Sequence, residues 1–504
     1  MARRLLVVAL AALLLAVASR ARAHDVVGFD DDDDDDDEGG LGYIVTLDDD
    51  DADAEDLCAA LEAPSDPPRS EPDLFPGALL RRARQVACAR RVRGVCRRVF
   101  RRGALGIRGM VVDAVSRARI AALARCLPRA VLEPDRPVRA QAGVSDQPVP
   151  WNLDRLDQPF LPLDGVARLA APANGGGAGV HAYVIDSGVR ASHREFASPT
   201  GTRVDRGVDL VSLTNSERDR ARNSPFALAN GAQGQPAEDL AARDCDGHGT
   251  HIAATLAGNT VGVAPNVRIH PARVLDCRGD GRASDVVAAL DWCAGHVLYN
   301  RAVKSPTGDA NDRSAHPAVA TLALGLMAGA RSLAMERAVV QFTKRTGALV
   351  VVAAGNFRDA DACDVSPARV TPALTMGASD ATDRAYAHGA TGTCVDAWAP
   401  GVDVVSACGG VRRCDAPGDD AYVAQSGTSM AVGHGAGVAA LLLGEHEGAD
   451  AGIVKAALVG GATGGTVWGW TLPGTTTATI RVPAGGWGRL PLISSDADSE
   501  YFGR

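Results

Sequence analysis

The stretch Gln425-Ser426-Gly427-Thr428-Ser429-Met430-Ala431 constrains this chain more than any other. It is a turn of small residues that feeds directly into Val438-Ala439-Ala440-Leu441-Leu442-Leu443. The pattern predicts a helix with a serine at its start. The first N–H groups of a helix have no partner within it and carry partial positive charge, so a hydroxyl there sits beside ready-made donors for an oxyanion. Ser429 is therefore a candidate nucleophile. Taken alone, Gly427 to Ala431 is equally an ordinary helix start, and the residues upstream decide between the two.

With 504 residues the chain has room for two or three domains and for one large core. Nearly half of it is apolar and aromatics are scarce, so that core must be built from Ala, Val and Leu. Met1-Ala2-Arg3-Arg4 precede an apolar run from Leu5 to Ala18 and then Ala21-Arg22-Ala23, the layout of a signal peptide removed after Ala23. That run is shorter than the roughly 20 residues that span a bilayer, and no later stretch is long and apolar enough either. The expected product is soluble and secreted, or held in the secretory lumen. In that compartment the eleven cysteines are expected to form disulfides, with at least one left over. They contain no zinc-type Cys-x-x-Cys pair, and no metal cluster is read from their spacing.

The formal charge is −9, which argues against nucleic acid as a partner. The acidity is uneven. Asp30 to Asp37 with Glu38 form a self-repelling block that predicts a disordered acidic tail over 24–40. Weak calcium binding, or docking on the arginine-rich stretch from Arg81 to Arg102, is the lesser reading of that block.

Residues 41–141 read as a small α+β domain. Gly42 to Leu47 predicts a strand, Pro64 to Pro76 a loop, and Leu79, Leu80, Ala83, Val86 and Ala87 a helix with arginines on its other face. Val99-Phe100 and Met110-Val111-Val112 predict short strands, Arg117 to Leu127 a second helix and Ala130 to Asp135 a last strand. This order is a split α+β sandwich. Gln141 to Val149, polar and turn-rich, predicts a linker. From Gly179 the pattern changes to apolar strands that lead into Gly-rich turns and helices: Val180 to Ile185, a less regular stretch from Val267 to Leu275, Val319 to Leu324 and Ala348 to Ala353. Such runs predict a parallel α/β sheet, whose functional groups gather at the carboxyl ends of strands.

Three polar residues sit at such ends. Asp186 directly follows its strand and precedes Ser187-Gly188; His248 lies in Asp246-Gly247-His248-Gly249-Thr250-His251 before a helix; Asn356 ends Val350-Val351-Val352-Ala353-Ala354-Gly355-Asn356. Singly, each has a plain structural explanation as a turn or capping residue. Together with Ser429 they give the order Asp, His, Ser of one serine-hydrolase arrangement.

On these four motifs the chain resembles the subtilase family of subtilisin-like serine proteases, in its proteinase K branch, from about Trp151 to Leu443. The resemblance implies a parallel sheet with helices on both faces over 142–462, an inhibitor-type propeptide over 41–141 and a Gly/Thr-rich extension over 463–504. It further implies a secreted endopeptidase made as a self-cleaving zymogen, with protein or peptide substrates and its own propeptide as inhibitor. A hydroxyl is too weak an acid to attack an amide unaided, so His248 takes the proton of Ser429 and returns it to the leaving amine. Asp186 orients the imidazole, and Asn356 with the Ser429 N–H holds the oxyanion. His251 and His434 match family histidines read as structural. The chemistry requires no cofactor, while structural calcium is left open with no ligands assigned.

Pro150 to Leu153, Ser192 to Glu195, Ala354 to Asp359, Cys394 to Asp396 and Gln425 to Ser429 extend the likeness to the secreted ninth member of the subtilisin/kexin-type proprotein convertases. That likeness implies Cys245 with Cys277, Cys363 with Cys394 and Cys408 with Cys414, leaves Cys293 free, and puts self-cleavage between Gln141 and Ala142. Cys58, Cys88, Cys96 and Cys126 allow three pairings, which stay open. Two departures stand out. Gly433 replaces a proline common in the family. Ala323, Leu324 and Gly325, on the substrate-binding edge, are followed by a bulky Leu326, which is expected to narrow the pocket, with the insertion Tyr299 to His316 as a loop over the same cleft. The alternative reading is accordingly a self-cleaved, propeptide-inhibited binding protein with little activity in trans.

Overall fold

The computed structural model describes residues 42–47, 53–62, 77–92, 94–100, 103–113, 117–140, 143–145, 151–169, 172–211, 242–414, 417–469 and 471–483. The chain divides into two units, one drawn from residues 1–101 and 107–135, the other from 102–106 and 136–504. The expected leader over 1–23, the Asp30 to Asp37 tract and the Pro64 to Pro76 loop lie outside the described residues.

The first unit contains β1 (Tyr43–Thr46), α1 (Ala54–Glu62), α2 (Gly77–Val92), β2 (Val95–Phe100), β3 (Gly109–Asp113), α3 (Arg117–Cys126) and β4 (Val131–Pro134). Its strands form one antiparallel sheet in the order β2-β3-β1-β4. Helix α1 is an addition to the expected pattern: Leu57 and Leu61, one turn apart, enter the same core as Val45, Met110 and Leu123. The acidic residues around them hid this short apolar face. Cys58 is bonded to Cys96 and Cys88 to Cys126, so two bridges join helices α1 and α2 to β2 and α3.

The second unit runs through β5 (Pro137–Ala140), β6 (Gly143–Ser145), α4 (Trp151–Asp157), β7 (His181–Asp186), the short hairpin β8 (Ala197–Ser198) and β9 (Gly201–Thr202), and β10 (Val208–Asp209). It continues with α5 (His248–Ala257), β11 (Arg268–Arg273), β12 (Asp280–Arg282), α6 (Ala283–Lys304), β13 (Ala318–Leu322), β14 (Leu324–Gly325), α7 (Leu333–Thr346) and β15 (Leu349–Ala353). Last come β16 (Leu374–Ser379), β17 (Ala397–Pro400), β18 (Val404–Ala407), β19 (Tyr422–Ser426), α8 (Thr428–Glu445) and α9 (Ala451–Gly460).

Seven of these strands form a parallel sheet in the order β10-β11-β7-β13-β15-β16-β17. Every residue of β7, β13 and β15 is buried, which is why their sequences are continuous apolar runs without alternation. β11, between β10 and β7, is buried from Ile269 to Arg273, but Arg268, His270 and Pro271 disguise it as an irregular stretch. Helix α8 passes through the core with every residue from Thr428 to Leu443 buried. A helix surrounded on all sides has no polar face, and its small residues let neighbours approach. A Cβ on Gly433 would lie 2.9 Å from the Thr255 Cβ of α5, so glycine there serves close packing of α8 on α5.

Three expectations change. Residues 143–145, within the expected linker, form a strand that pairs antiparallel with β19. The insertion from Tyr299 to His316 is not a loop throughout, because α6 continues to Lys304. Nor does it cover the cleft: Lys304 and His316 contact His181, the first residue of β7, at the end of the sheet opposite Asp186. Within the Gly/Thr-rich segment after 462, Ile480 and Val482 belong to the main core, and the backbone of Trp398 exchanges hydrogen bonds with Ala478 and Ile480. That segment covers the edge strand β17, which would otherwise present unpaired backbone groups. Trp470 and Trp487 lie outside the described residues.

Candidate active site

Asp186 closes β7 and is fully buried, with its Oδ1 accepting hydrogen bonds from Ser187 N at 2.7 Å and from His248 Nδ1 at 2.8 Å. The contact requires the first turn of α5 to lie against the tip of β7. Gly249 permits it, since a Cβ there would fall 2.2 Å from the Gly188 carbonyl oxygen and 3.1 Å from the Asp186 Cβ. Asp186 thereby fixes the Nδ1–H tautomer of His248 and leaves Nε2 as the basic nitrogen. Among the described residues Nε2 has no hydrogen-bond partner.

Ser429 occupies the second position of α8, fully buried, and its hydroxyl donates to the Ala323 carbonyl at 2.9 Å. In this arrangement Oγ donates to the edge residue Ala323 and not to His248 Nε2. Asn356 stands after β15, and its Oδ1 accepts from Thr428 N and Thr428 Oγ1, both at 3.0 Å. Thr428 Oγ1 in turn accepts from Gly355 N at 3.2 Å. With its oxygen committed to Thr428, the amide of Asn356 offers its N–H₂ group for donation. The structure thus gathers Asp186, His248, Asn356 and Ser429 at the carboxyl ends of β7 and β15 and the starts of α5 and α8.

Residues 177–479 match the Subtilase family. The extracellular serine proteinase of Thermus sp. (strain Rt41A) is 40% identical over 371 residues, 71% of this chain and 75% of that protein. The chain belongs to the subtilase family. The alkaline serine exoprotease A of Vibrio alginolyticus is 38% identical, the match spanning 63% of this chain and 47% of that protein. Proprotein convertase subtilisin/kexin type 9 of Rattus norvegicus is 32% identical, over 59% of this chain and 36% of its own length. Among solved structures, a cold adapted subtilisin-like serine proteinase matches with a TM-score of 0.50 and 36% identity, covering 66% of this chain and 97% of that one. The protein is a serine-type peptidase with the subtilisin-like fold, and no described helix is long and apolar enough to cross a membrane.

The surroundings of the site in this subtilase hold one residue that sequence reasoning missed. Asp244 Oδ1 accepts from Ser187 Oγ, Asp246 N and Gly247 N, and its Oδ2 from Thr250 N and Thr250 Oγ1. Ser187 Oγ also accepts from Gly249 N at 2.9 Å. One buried carboxylate therefore ties the loop after Asp186 to the helix that starts at His248. Its signal was present as an acidic residue shortly before a helix start, the place where a carboxylate meets unpaired N–H groups. Asp246 beside it is balanced by Arg413 at 3.0 Å and Arg412 at 3.3 Å.

Cys245 is bonded to Cys277, Cys363 to Cys394 and Cys408 to Cys414, with Cα separations of 4.9, 5.2 and 6.1 Å, and Cys293 is a buried free thiol in α6. His251 Nε2 donates to the Val404 carbonyl, and His434 Nδ1 donates to that of Met430 while its Nε2 accepts from Asn152. Burial pushes His251 down to about 3 and His434 to about 4, so both are neutral supports. At the substrate edge, Leu326 is buried, its N–H donating to Ser366 O, and it lies beyond Gly325, the last residue of β14.

Proposed function

We propose that this subtilase is a secreted serine endopeptidase that cuts its own precursor between Gln141 and Ala142, with Asp186, His248 and Ser429 as its triad. The observation that carries the reading is the path of the chain on either side of that bond. β5 lies between β12 and β14, antiparallel to both: Val138 pairs with Gly281, Arg139 with Gly325 and Asp280, and Ala140 with Leu324. β6 then pairs with β19, Gly143 opposite Ser426. One strand ends beside Leu324, adjacent to the Ala323 carbonyl that holds the Ser429 hydroxyl. The other begins opposite Ser426, three residues before Ser429. Gln141 and Ala142 themselves lie outside the described residues.

A strand held by backbone hydrogen bonds between two edges is a sequence-tolerant way to bind a peptide. The Val138 side chain is fully buried, and a Cβ on Gly281 would lie 3.1 Å from its Cγ2, so Gly281 leaves room for an aliphatic group at the fourth residue before the cut. Ala323, Leu324 and Gly325 are the other binding edge. In the proposed reaction Ser429 Oγ attacks the carbonyl carbon as its proton passes to His248 Nε2. Asn356 and the Ser429 N–H take up the oxyanion. Collapse breaks the C–N bond, the proton leaves with the amine, and water hydrolyses the ester by the same route in reverse. Calcium, left open as a structural ion, has no part in these steps.

In this reading the leader over 1–23 directs export and residues 41–141 are the inhibitor-type propeptide. The occupied β12 and β14 edges also favour a second outcome, in which the cleaved propeptide stays bound and the protein acts as a convertase-like binder. A quenched peptide with the sequence of residues 138–145 and a serine-reactive phosphonate probe separate the two. Turnover of the peptide and labelling of Ser429 are expected of the endopeptidase. No turnover and no labelling, with the 41–141 fragment co-purifying, would leave only the binder.

A further inference from the structure

The amino ends of the same parallel strands hold a second cluster that the proposed reaction does not use. His181 opens β7, His270 lies in β11 on one side of it, and His316 lies two residues before the start of β13 on the other. All three are at least nine-tenths buried, and one ring nitrogen from each lies within 4.8 Å of the others. At about 3.3 Å of rise per residue, the length of β7 separates His181 from Asp186 by roughly 16 Å. The cluster is therefore distinct from the catalytic end.

We propose that His181, His270 and His316 bind a divalent first-row transition-metal ion of the zinc type. Several features support a three-imidazole donor set. Zinc is held by imidazole nitrogens at 2.0–2.1 Å, which puts tetrahedral ligands about 3.3 Å apart. The 4.8 Å limit on these nitrogens is close enough for side-chain rotation to close. His270 Nδ1 is 3.1 Å from the Asp205 carboxylate, the outer hydrogen bond that orients a metal-binding histidine and directs its Nε2 inward. His316 is oriented in the same way, with Nε2 2.9 Å from the Tyr183 hydroxyl, which also meets His296 Nδ1 at 2.8 Å.

The ring nitrogens already converge on a cation. Lys304 Nζ is 3.2 Å from His181 Nε2 and 3.3 Å from His316 Nδ1. An all-neutral assignment of the imidazoles satisfies every contact: Lys304 donates to both, His181 Nδ1–H donates to His270 Nε2 at 2.8 Å, and His270 Nδ1–H donates to Asp205. Neutral imidazole is the form that ligates metal, and these contacts are met with all three rings in it. Lys304 is exposed, so its ammonium can turn to solvent and leave the nitrogens that a dication would take. The metal would tie together β7, β11 and the lead into β13, whose backbones already pair.

The test uses the full secreted protein, stripped with a chelator and titrated with Zn²⁺ alone. About one equivalent should bind and raise the melting temperature. His270→Gln should weaken that binding about tenfold or more, while Lys304→Met, which removes a competing cation at the surface, should tighten it. Cobalt in place of zinc should give the visible absorption of a nitrogen-ligated site. Binding that is unchanged in His270→Gln, as for zinc held elsewhere on the chain, overturns the assignment. So does Lys304→Met protein that binds no more tightly than the parent, or parent protein that binds no zinc at all.

Discussion

The two ends of the parallel sheet carry the same kinds of side chain to opposite effect. At the carboxyl end of β7, Asp186 holds His248 by one nitrogen and the other is left without a partner among the described residues. At the amino end, His181 has both nitrogens engaged, by His270 and Lys304. A proton carrier must keep one nitrogen available to a reacting group, whereas a supporting or ligating histidine is held from both sides. On the proposed reading, a single strand, six residues long, serves chemistry at one end and cohesion at the other.

The comparison predicts that substitutions at the carboxyl end cost rate before stability. Ser429→Ala should lower peptide turnover by about four to six orders of magnitude while leaving the melting temperature nearly unchanged, as steady-state kinetics and calorimetry would show together. Asn356→Ala should lower kcat about 100- to 1,000-fold with KM little altered, because its N–H is needed only once the oxyanion develops. An equal rise in KM instead would make Asn356 a substrate-binding group.

Asp244→Ala sharpens the contrast, because it tests support rather than chemistry. It strips the acceptor from Ser187 Oγ, Gly247 N and Thr250 N, and should cost about 3 kcal/mol of stability by denaturant titration. Its kcat should fall about tenfold with an unchanged pH profile. A shifted profile would mean that Asp244 acts on the His248 charge directly.

The last effect is graded with pH and vanishes at neutrality. His251 and His434 have folded values near 3 and 4, depressed by burial, so the unfolded chain binds more protons between the ordinary value of about 6.5 and those limits. Their contribution is fully present above pH 6.5 and is lost as pH falls, by about 1.4 kcal/mol per pH unit for each group. His434→Gln should flatten the acid limb of a stability curve measured from pH 7 to 4. An unchanged slope would place the proton uptake elsewhere.

Much of this was legible in the chain because buried parallel strands and glycine-bounded turns leave local marks. The apolar runs of β7, β13 and β15 gave the sheet, and Asp186, His248, Asn356 and Ser429 stood out because each follows a strand or opens a helix. The histidine cluster left no such mark. His181, His270 and His316 are spread over three strands or strand approaches, and only parallel register brings them together. β11 was obscured for the same reason, since its polar residues look outward from the pattern but are satisfied in the fold. Residues 143–145 read as a linker because pairing with β19 is a long-range property that short polar strands do not announce.

Mass spectrometry of the secreted protein beside its Ser429→Ala variant tests the central claim most directly. The account predicts a wild-type protein whose chain begins at Ala142, accompanied or not by the fragment ending at Gln141, and a variant that remains joined across that bond. Both proteins uncut, or both cut at the same place, would contradict self-cleavage by Ser429.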